Sequence, residues 1–400
     1  MKTDPIKRAL ELRETLISED KKKLLVVKFE DTLQGKDTSK VIDLMPNVCT
    51  NELVFRAKVN VKELDPVASE VYKVPFFDVN TKSDREIEDF VKAKEFDFPL
   101  WFKHHPDFTM KKVVDYNPPF ILQSAGCNFH DGSASGGCWY CFVDDKSNDG
   151  VIGKGKTYLT TNATVESMIS ARAKIKDIYK QIGRDVNMKV LRTSGGEPTI
   201  TLDWILDLWR TIGNKGADFV GQIDTNLSTG QVVDYFEKEG IYEKNILEKL
   251  AEHPVKVLTA LKGSDEENLQ SNVQSYTTMD AQKHSLKKIV SAGFDIFPQM
   301  YNPNPATLEN FLSDMDSEIQ DLSLKIHIGP LKVYGPTSCR LTHEAEKLGI
   351  DAKELIAKKK QEWDDNYKQS CEIIDKYLQE TQGVGYKEVT RSDVKVKVLK

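Results

Sequence analysis

The 400-residue chain has no long hydrophobic run. Its most apolar short stretch, Leu24-Leu25-Val26-Val27, is flanked by lysines, whereas a bilayer span needs about 20 consecutive apolar residues. The opening residues, Met1-Lys2-Thr3-Asp4-Pro5, lack the apolar core of a secretory signal. The expectation is a cytoplasmic protein that does not engage a membrane. A basic surplus is also missing. The net charge of −6 argues against a chain whose main task is gripping nucleic acid, although a local basic patch could sit inside that average. Internal repeats and low-complexity tracts are absent. Cysteine is sparse, with six in all, and in a reducing compartment these thiols are expected free rather than paired.

What is present describes a globular chain with a well-charged surface, long enough for one large domain or two ordinary ones. Residues 1–118 read as a mixed α/β extension. Apolar spacing at Ile6, Ala9, Leu10, Leu12 and Leu16 predicts a helix over 5–17, capped by Asp4 with Pro5 in its first turn. A β-like run follows at 53–59, and the segment ends rich in aromatics, from Phe96 to Tyr116. The neighbouring His104 and His105 do not converge on one metal from regular structure and read as solvent-facing or core. From 119 to 335 the pattern alternates. Strands are expected at 120–123, 188–191, 219–223, 255–261, 296–300 and 324–328. The helices between them are expected over 164–183, around 204–209, 232–250, 278–292 and 308–315. Residues 336–400 form a charged helical tail with a basic end. Strand–helix units in series imply parallel strands with right-handed crossovers, in a doubly wound sheet or in a full or partial β/α barrel.

In such folds ligands gather at the carboxyl ends of the strands, and the unusual residues of this chain gather there too. The first strand runs into a loop holding Cys127, Cys138 and Cys141. The second ends in Gly195-Gly196-Glu197-Pro198, the third in Asp224-Thr225-Asn226, the fourth in Lys262-Gly263 and the fifth in Gln299-Met300-Tyr301. The two-residue spacing of Cys138 and Cys141 lets both thiolates face one metal centre, and nearby glycines let the backbone wrap. Three cysteines suit an iron–sulfur cluster with one open iron. With His130 they equally make four ligands for zinc, and a redox dithiol is a third reading of the pair. The paired glycines before Glu197 allow backbone to approach a ligand, and the carboxylate suits an ammonium group. Cys49, Cys339 and Cys371 are dispersed and read as ordinary buried or half-buried thiols.

Three cysteines after a first strand, with an aromatic before the last, and then Gly-Gly-Glu-Pro after a second strand: this arrangement resembles the radical S-adenosylmethionine (radical SAM) superfamily over about residues 120–335. The resemblance implies a partial (β/α)6 TIM-like barrel with a [4Fe-4S] cluster on Cys127, Cys138 and Cys141. It implies SAM chelated at the open iron, with Gly195, Gly196 and Glu197 at its ammonium and the Tyr140 backbone near its adenine. The implied partners are SAM, an external electron donor of the flavodoxin or ferredoxin kind, and an unidentified substrate, small molecule or macromolecule. One departure is plain: ten residues separate Cys127 from Cys138 where the family usually has three. The insert is rich in glycine and serine and is expected to bulge outward, with His130 as a loop residue; such an extension costs only about 1 kcal/mol or less in closure entropy.

The third and fourth strand ends are similar to those of glycyl-radical-enzyme activases and of the wybutosine tRNA-base synthases, which implies that Asn226 and Lys262 face the cofactor or substrate. Asp265 reads equally as a helix cap. Activase and tRNA-modifying roles remain as alternatives, and a zinc-stabilised binding module remains as the reading without catalysis.

Overall fold

The computed structural model describes residues 4–28, 32, 43–46, 53–57, 120–130, 136–181, 189–389 and 391–399, with 43–46 and 53–57 as backbone. The strands are β1 (Lys23–Val27), β2 (Asp43–Pro46), β3 (Leu53–Ala57), β4 (Phe120–Ser124), β5 (Lys156–Thr160), β6 (Val190–Gly195), β7 (Val220–Thr225), β8 (Val255–Leu261), β9 (Ile296–Tyr301), β10 (Ile319–Gln320), β11 (His327–Gly329) and β12 (Lys397–Val398). Strands β4, β6, β7, β8, β9 and β11 lie side by side in chain order, all parallel. That order contains no reversal point, which rules out a doubly wound sheet. Crossovers of one hand in a sheet laid down in one direction put all the connecting helices on one face.

The register explains which face that is. Leu122, Leu191, Ile223, Val257, Leu261, Ile296 and Met300 alternate onto one side of the sheet, and all are buried. The helices Thr161–Gln181 and Leu202–Asn214 pack there: Arg172 lies 4.4 Å over the Phe219 ring and Trp209 sits on Gly221. The other side carries Gln123, Arg192, Ser194, Gln222, Asp224, Lys256, Gln299, Tyr301 and His327. Alternation at a period of two thus yields one largely apolar face under helices and one mixed face, where these polar side chains stand among Ile121, Leu258, Ala260 and Phe297.

Most of the expected elements are present within a few residues. The helix Pro5–Leu16 is capped by Asp4, whose Oδ1 accepts from Ile6 N at 2.9 Å. Three departures have physical causes. The expected helix over 232–250 is two helices, Gly230–Lys238 and Ile246–Ala251. Left-handed Gly240 and Asn245 break it, and Glu237 accepts from Ile246 N to start the second. The expected strand over 324–328 is a helical turn, Leu322–Lys325, followed by β11. Here the buried Lys325 ammonium binds Asp295 at 2.5 Å and the Val394 carbonyl at 2.6 Å, which overrides the alternating pattern. Strand β1, seen in the sequence only as an apolar run, sits between β4 and β5 in the same sheet, antiparallel to both. The tail forms the helices Gly335–Leu348 and Ala352–Gln382, and β12 pairs with β10. Cys49, His104, His105 and the aromatic run at 96–116 lie outside the described residues. No described helix is long and apolar enough to cross a membrane.

Gly221 tests the helix-covered face. A Cβ there would stand 2.1 Å from the buried Trp209 ring, so Gly221→Ala is expected to destabilise the fold by about 1–3 kcal/mol. Denaturant unfolding should show a lower midpoint at unchanged slope; an unchanged midpoint would mean that the helix does not pack on the sheet as described.

Candidate functional site

The cysteine loop leaves β4 at Ala125 and Gly126, and its backbone is tied to the segment that ends it. Gly126 N donates to Ser147 O, and Cys127 N to Asn148 O, both at 2.9 Å. The turn after β6 docks directly on this loop: Gly196 N donates to Ser124 O at 3.0 Å and Glu197 N to Gly126 O at 2.9 Å. This contact is why both glycines are there. A Cβ on Gly196 would lie 1.7 Å from the Gly126 carbonyl oxygen, and one on Gly195 (φ +102°) would lie 2.1 Å from Gln123 Cγ. The sequence suggested room for a ligand; the structure uses that room for a second backbone.

Glu197 is 1% exposed. Oε1 accepts from Thr199 N and Thr199 Oγ1, and Oε2 accepts from Asn226 N at 2.7 Å. Burial still raises its pKa, more than those hydrogen bonds lower it. Asn226, oriented by that bond, sends Nδ2 to Cys127 Sγ at 3.7 Å and to Asn128 Oδ1 at 3.2 Å. On the far side of the loop, Asn148 Nδ2 reaches Cys141 Sγ at 3.8 Å.

The three thiols sit together. Burial raises the pKa of Cys127, and the neighbouring Cys138, Glu197 and Cys141 raise it further. Burial also raises Cys138, opposed chiefly by the charges of Lys262 and Arg340. Among the described residues, however, no three of His, Cys, Asp and Glu are gathered tightly enough to hold one metal ion. The amide donors at two of the sulfurs are contacts of the kind that orient and tune metal ligands.

His130 corrects an expectation. It does not bulge outward: it is 1% exposed, with Nε2 3.0 Å from Asp145 Oδ1. Cys339 corrects another, since it is exposed, whereas Cys371 is half-buried. Asp265 caps the helix Glu266–Asn272, accepting from Asn268 N at 2.7 Å.

Lys262 is 9% exposed. Its ammonium lies 5.3 Å from the Tyr140 ring centroid and 5.1 Å from that of Tyr301, a cation–π arrangement. Tyr140 packs on Tyr301 and on Trp363 of the long C-terminal helix, and its buried hydroxyl has no partner among the described residues. Cys138 pairs with Val273 in an isolated bridge, and Trp139 N donates to Asn272 O, so the loop also rests on the segment after β8.

Sequence reading missed the residues that clasp this loop from the two ends of the chain. From the N-terminal helix, Arg8 donates to the carbonyls of His130 (3.1 Å) and Asp149 (2.7 Å). Leu12 packs beneath Gly126 and Gly150. From the helix Gly335–Leu348, Arg340 donates to the carbonyls of Cys141 and Val143 and to Asp145. No spacing signal connects these arginines with the cysteines.

No family model matches the sequence, and no curated protein matches it. Among solved structures, the chain is similar to those of a cobalamin-dependent S-adenosylmethionine radical enzyme, OxsB. The form with aqua-cobalamin shows 13% identity and a TM-score of 0.35, covering 60% of this chain and 30% of that one. The form that also holds S-adenosylmethionine shows 12% identity and a TM-score of 0.36, covering 62% and 31%. The apo form shows 10% identity and a TM-score of 0.38, covering 66% and 44%. The chain thus spans less than half the length of these structures.

Two measurements probe the site's construction. Gly196→Ala should push the turn off the loop. Peptide-resolved alkylation would then find Cys138 modified nearly as fast as the exposed Cys339, whereas the parent protein protects it; continued protection in a folded variant counts against the docking. Asp145 is held below the usual carboxylate range, its hydrogen bonds with His130 and Arg340 and the charge of Arg340 together outweighing its own desolvation. A carboxylate lowered on folding stabilises the native state above its unfolded pKa of about 3.9, and that stability is lost as pH falls through the lower folded value. The stability gap between the parent and Asp145→Asn should therefore be constant from about pH 5 to 7 and shrink below about pH 4. A gap that widens on acidification would reverse the assignment.

Proposed function

We propose that this chain is a radical SAM enzyme, with the mixed face of its sheet forming the inner wall of a partial (β/α)6 barrel. A [4Fe-4S] cluster would be held by Cys127, Cys138 and Cys141. The observation that carries this reading is the docking of the Gly195-Gly196-Glu197 turn on the cysteine loop, which brings the ammonium-binding candidate to the metal-binding candidate. When bound, the cluster supplies one electron for cleavage of SAM to methionine and a 5′-deoxyadenosyl radical, which abstracts hydrogen from the substrate.

The protein's own groups have distinct tasks in this reading. Asn226 and Asn148 donate toward the sulfurs of Cys127 and Cys141, and such outer contacts orient metal ligands and tune them. Glu197 already receives three protein donors, which takes up most of its acceptor capacity. It would therefore attract the SAM ammonium mainly by charge, with the carbonyls of Gly195 and Gly196 supplying the hydrogen bonds. Lys262, free of any carboxylate among the described residues, would meet the SAM carboxylate or an anionic substrate group. Tyr301 and Trp363 pack on Tyr140, two residues from Cys138, and this aromatic group would keep water from the reacting centre. The electron would come from a flavodoxin- or ferredoxin-type protein, and the substrate is a small molecule or a macromolecule.

Anaerobic purification should give a brown protein with roughly four irons and four sulfides per chain; stoichiometric zinc without iron would sink the proposal. Reduced protein given SAM should release 5′-deoxyadenosine, and Cys138→Ala should abolish that release. Native-rate cleavage by the variant would show that Cys138 is not a ligand.

A further inference from the structure

Arg340 stands in the helix Gly335–Leu348, 195–199 residues along the chain from the groups it holds. Its side chain is 1% exposed. Nη1 donates to the Cys141 carbonyl at 2.5 Å and Nη2 to the Val143 carbonyl at 2.6 Å, while Nε and Nη2 donate to Asp145 Oδ1 at 3.0 and 2.8 Å. That same carboxylate oxygen meets His130 Nε2. One guanidinium therefore gathers the strip of loop that follows the long insert and, through Asp145, reaches His130 inside the insert. Thr337, three residues earlier in the helix, adds a hydroxyl bond to the Cys141 carbonyl.

The clasp is more than mechanical. A neutral donor could hold carbonyls, but this one is a permanent charge in a site that excludes water, where screening is weak. Arg340 Nη1 donates to the carbonyl of Cys141 itself, so the charge stands within one residue's length of a candidate ligand sulfur. The potential of an iron–sulfur centre follows the net charge around it and the hydrogen bonds near its ligands.

We propose that Arg340 is a positioning residue that locks the cysteine loop and, by its fixed charge, raises the reduction potential of the cluster bound there. This rests on the iron–sulfur reading of the three cysteines. In the step concerned, a flavodoxin- or ferredoxin-type donor gives up one electron and the cluster gains it. No bond or proton is exchanged, and the product is more negative by one charge. Arg340 stabilises that product over the oxidised form, and Asp145 opposes it.

The test compares parent protein, Arg340→Gln, Arg340→Lys and Asp145→Asn, reconstituted anaerobically with iron and sulfide. Iron content is measured first, and midpoint potentials come from dithionite titration followed by visible absorbance and electron paramagnetic resonance. Arg340→Gln should shift the midpoint down, Asp145→Asn should shift it up, and Arg340→Lys should stay near the parent value with an altered resonance spectrum, because one ammonium cannot reproduce the planar fork. An Arg340→Gln cluster at the parent potential, or an Asp145→Asn shift in the same direction as Arg340→Gln, overturns the proposal. Should Arg340→Gln not fold, Asp145→Asn decides alone, and an unchanged or lowered midpoint overturns the proposal. Parent protein that takes up no iron overturns the iron–sulfur reading itself, and the proposal with it, so the two failures are distinct.

Discussion

The site depends on one backbone-to-backbone contact. Strands β4 and β6 pair so that Ser124 faces Gly195, and the chain leaving β6 lies flush on the chain leaving β4. At the point of contact the Gly126 carbonyl occupies the space where any side chain on residue 196 would stand. From that contact the rest follows in steps. The turn fixes Glu197, whose carboxylate reaches across to Asn226 N at the end of β7, and Asn226 in turn faces Cys127. Three strand ends are thereby registered on one sulfur through a carboxylate that is itself fully buried.

A loop buried this deeply carries backbone groups that must find partners, because an unpaired buried carbonyl costs about as much as a lost hydrogen bond. Main-chain donors meet some of them, Glu197 N at Gly126 and Gln274 N at Gly137. Two arginines meet others, from opposite ends of the chain: Arg8 takes the carbonyls of His130 and Asp149, and Arg340 takes those of Cys141 and Val143. Arginine suits this task because one planar fork supplies several donors at once. The N-terminal helix and the helix Gly335–Leu348 are therefore walls of the site rather than appendages to it.

What the sequence disclosed follows the range of the forces involved. Strands β4, β7, β8 and β9 and the helix Pro5–Leu16 were legible because apolar periodicity and caps such as Asp4 are local signals. The cysteine spacing and the Gly-Gly-Glu-Pro turn were legible as residues, but the turn's physical reason was not. A glycine required by contact with another backbone 70 residues away looks the same in sequence as one required by a ligand. The helical turn at Lys325 was hidden because a buried ion pair with Asp295 decided it. Arg340 was hidden because a single arginine in a charged amphipathic helix carries no mark of what it will reach.

The mixed face of the sheet completes the logic of the site. Arg192 is paired with Asp224, which also accepts from Gln222, and Lys256 shares the carboxylate of Asp295 with Lys325. Lys262 is different: its backbone is pinned by Gln282 and Asn272, and its ammonium rests between two tyrosine rings with no carboxylate beside it among the described residues. Burying a cation without an anion is costly unless something anionic joins it. Among the groups that Lys262 acts on is the thiol of Cys138, whose pKa burial raises, and a thiol becomes a metal ligand by losing its proton. In the proposed reading, the cluster's thiolates and the carboxylate of SAM would supply the anions that Lys262 lacks among the described residues, on the same wall as the partnerless hydroxyl of Tyr140.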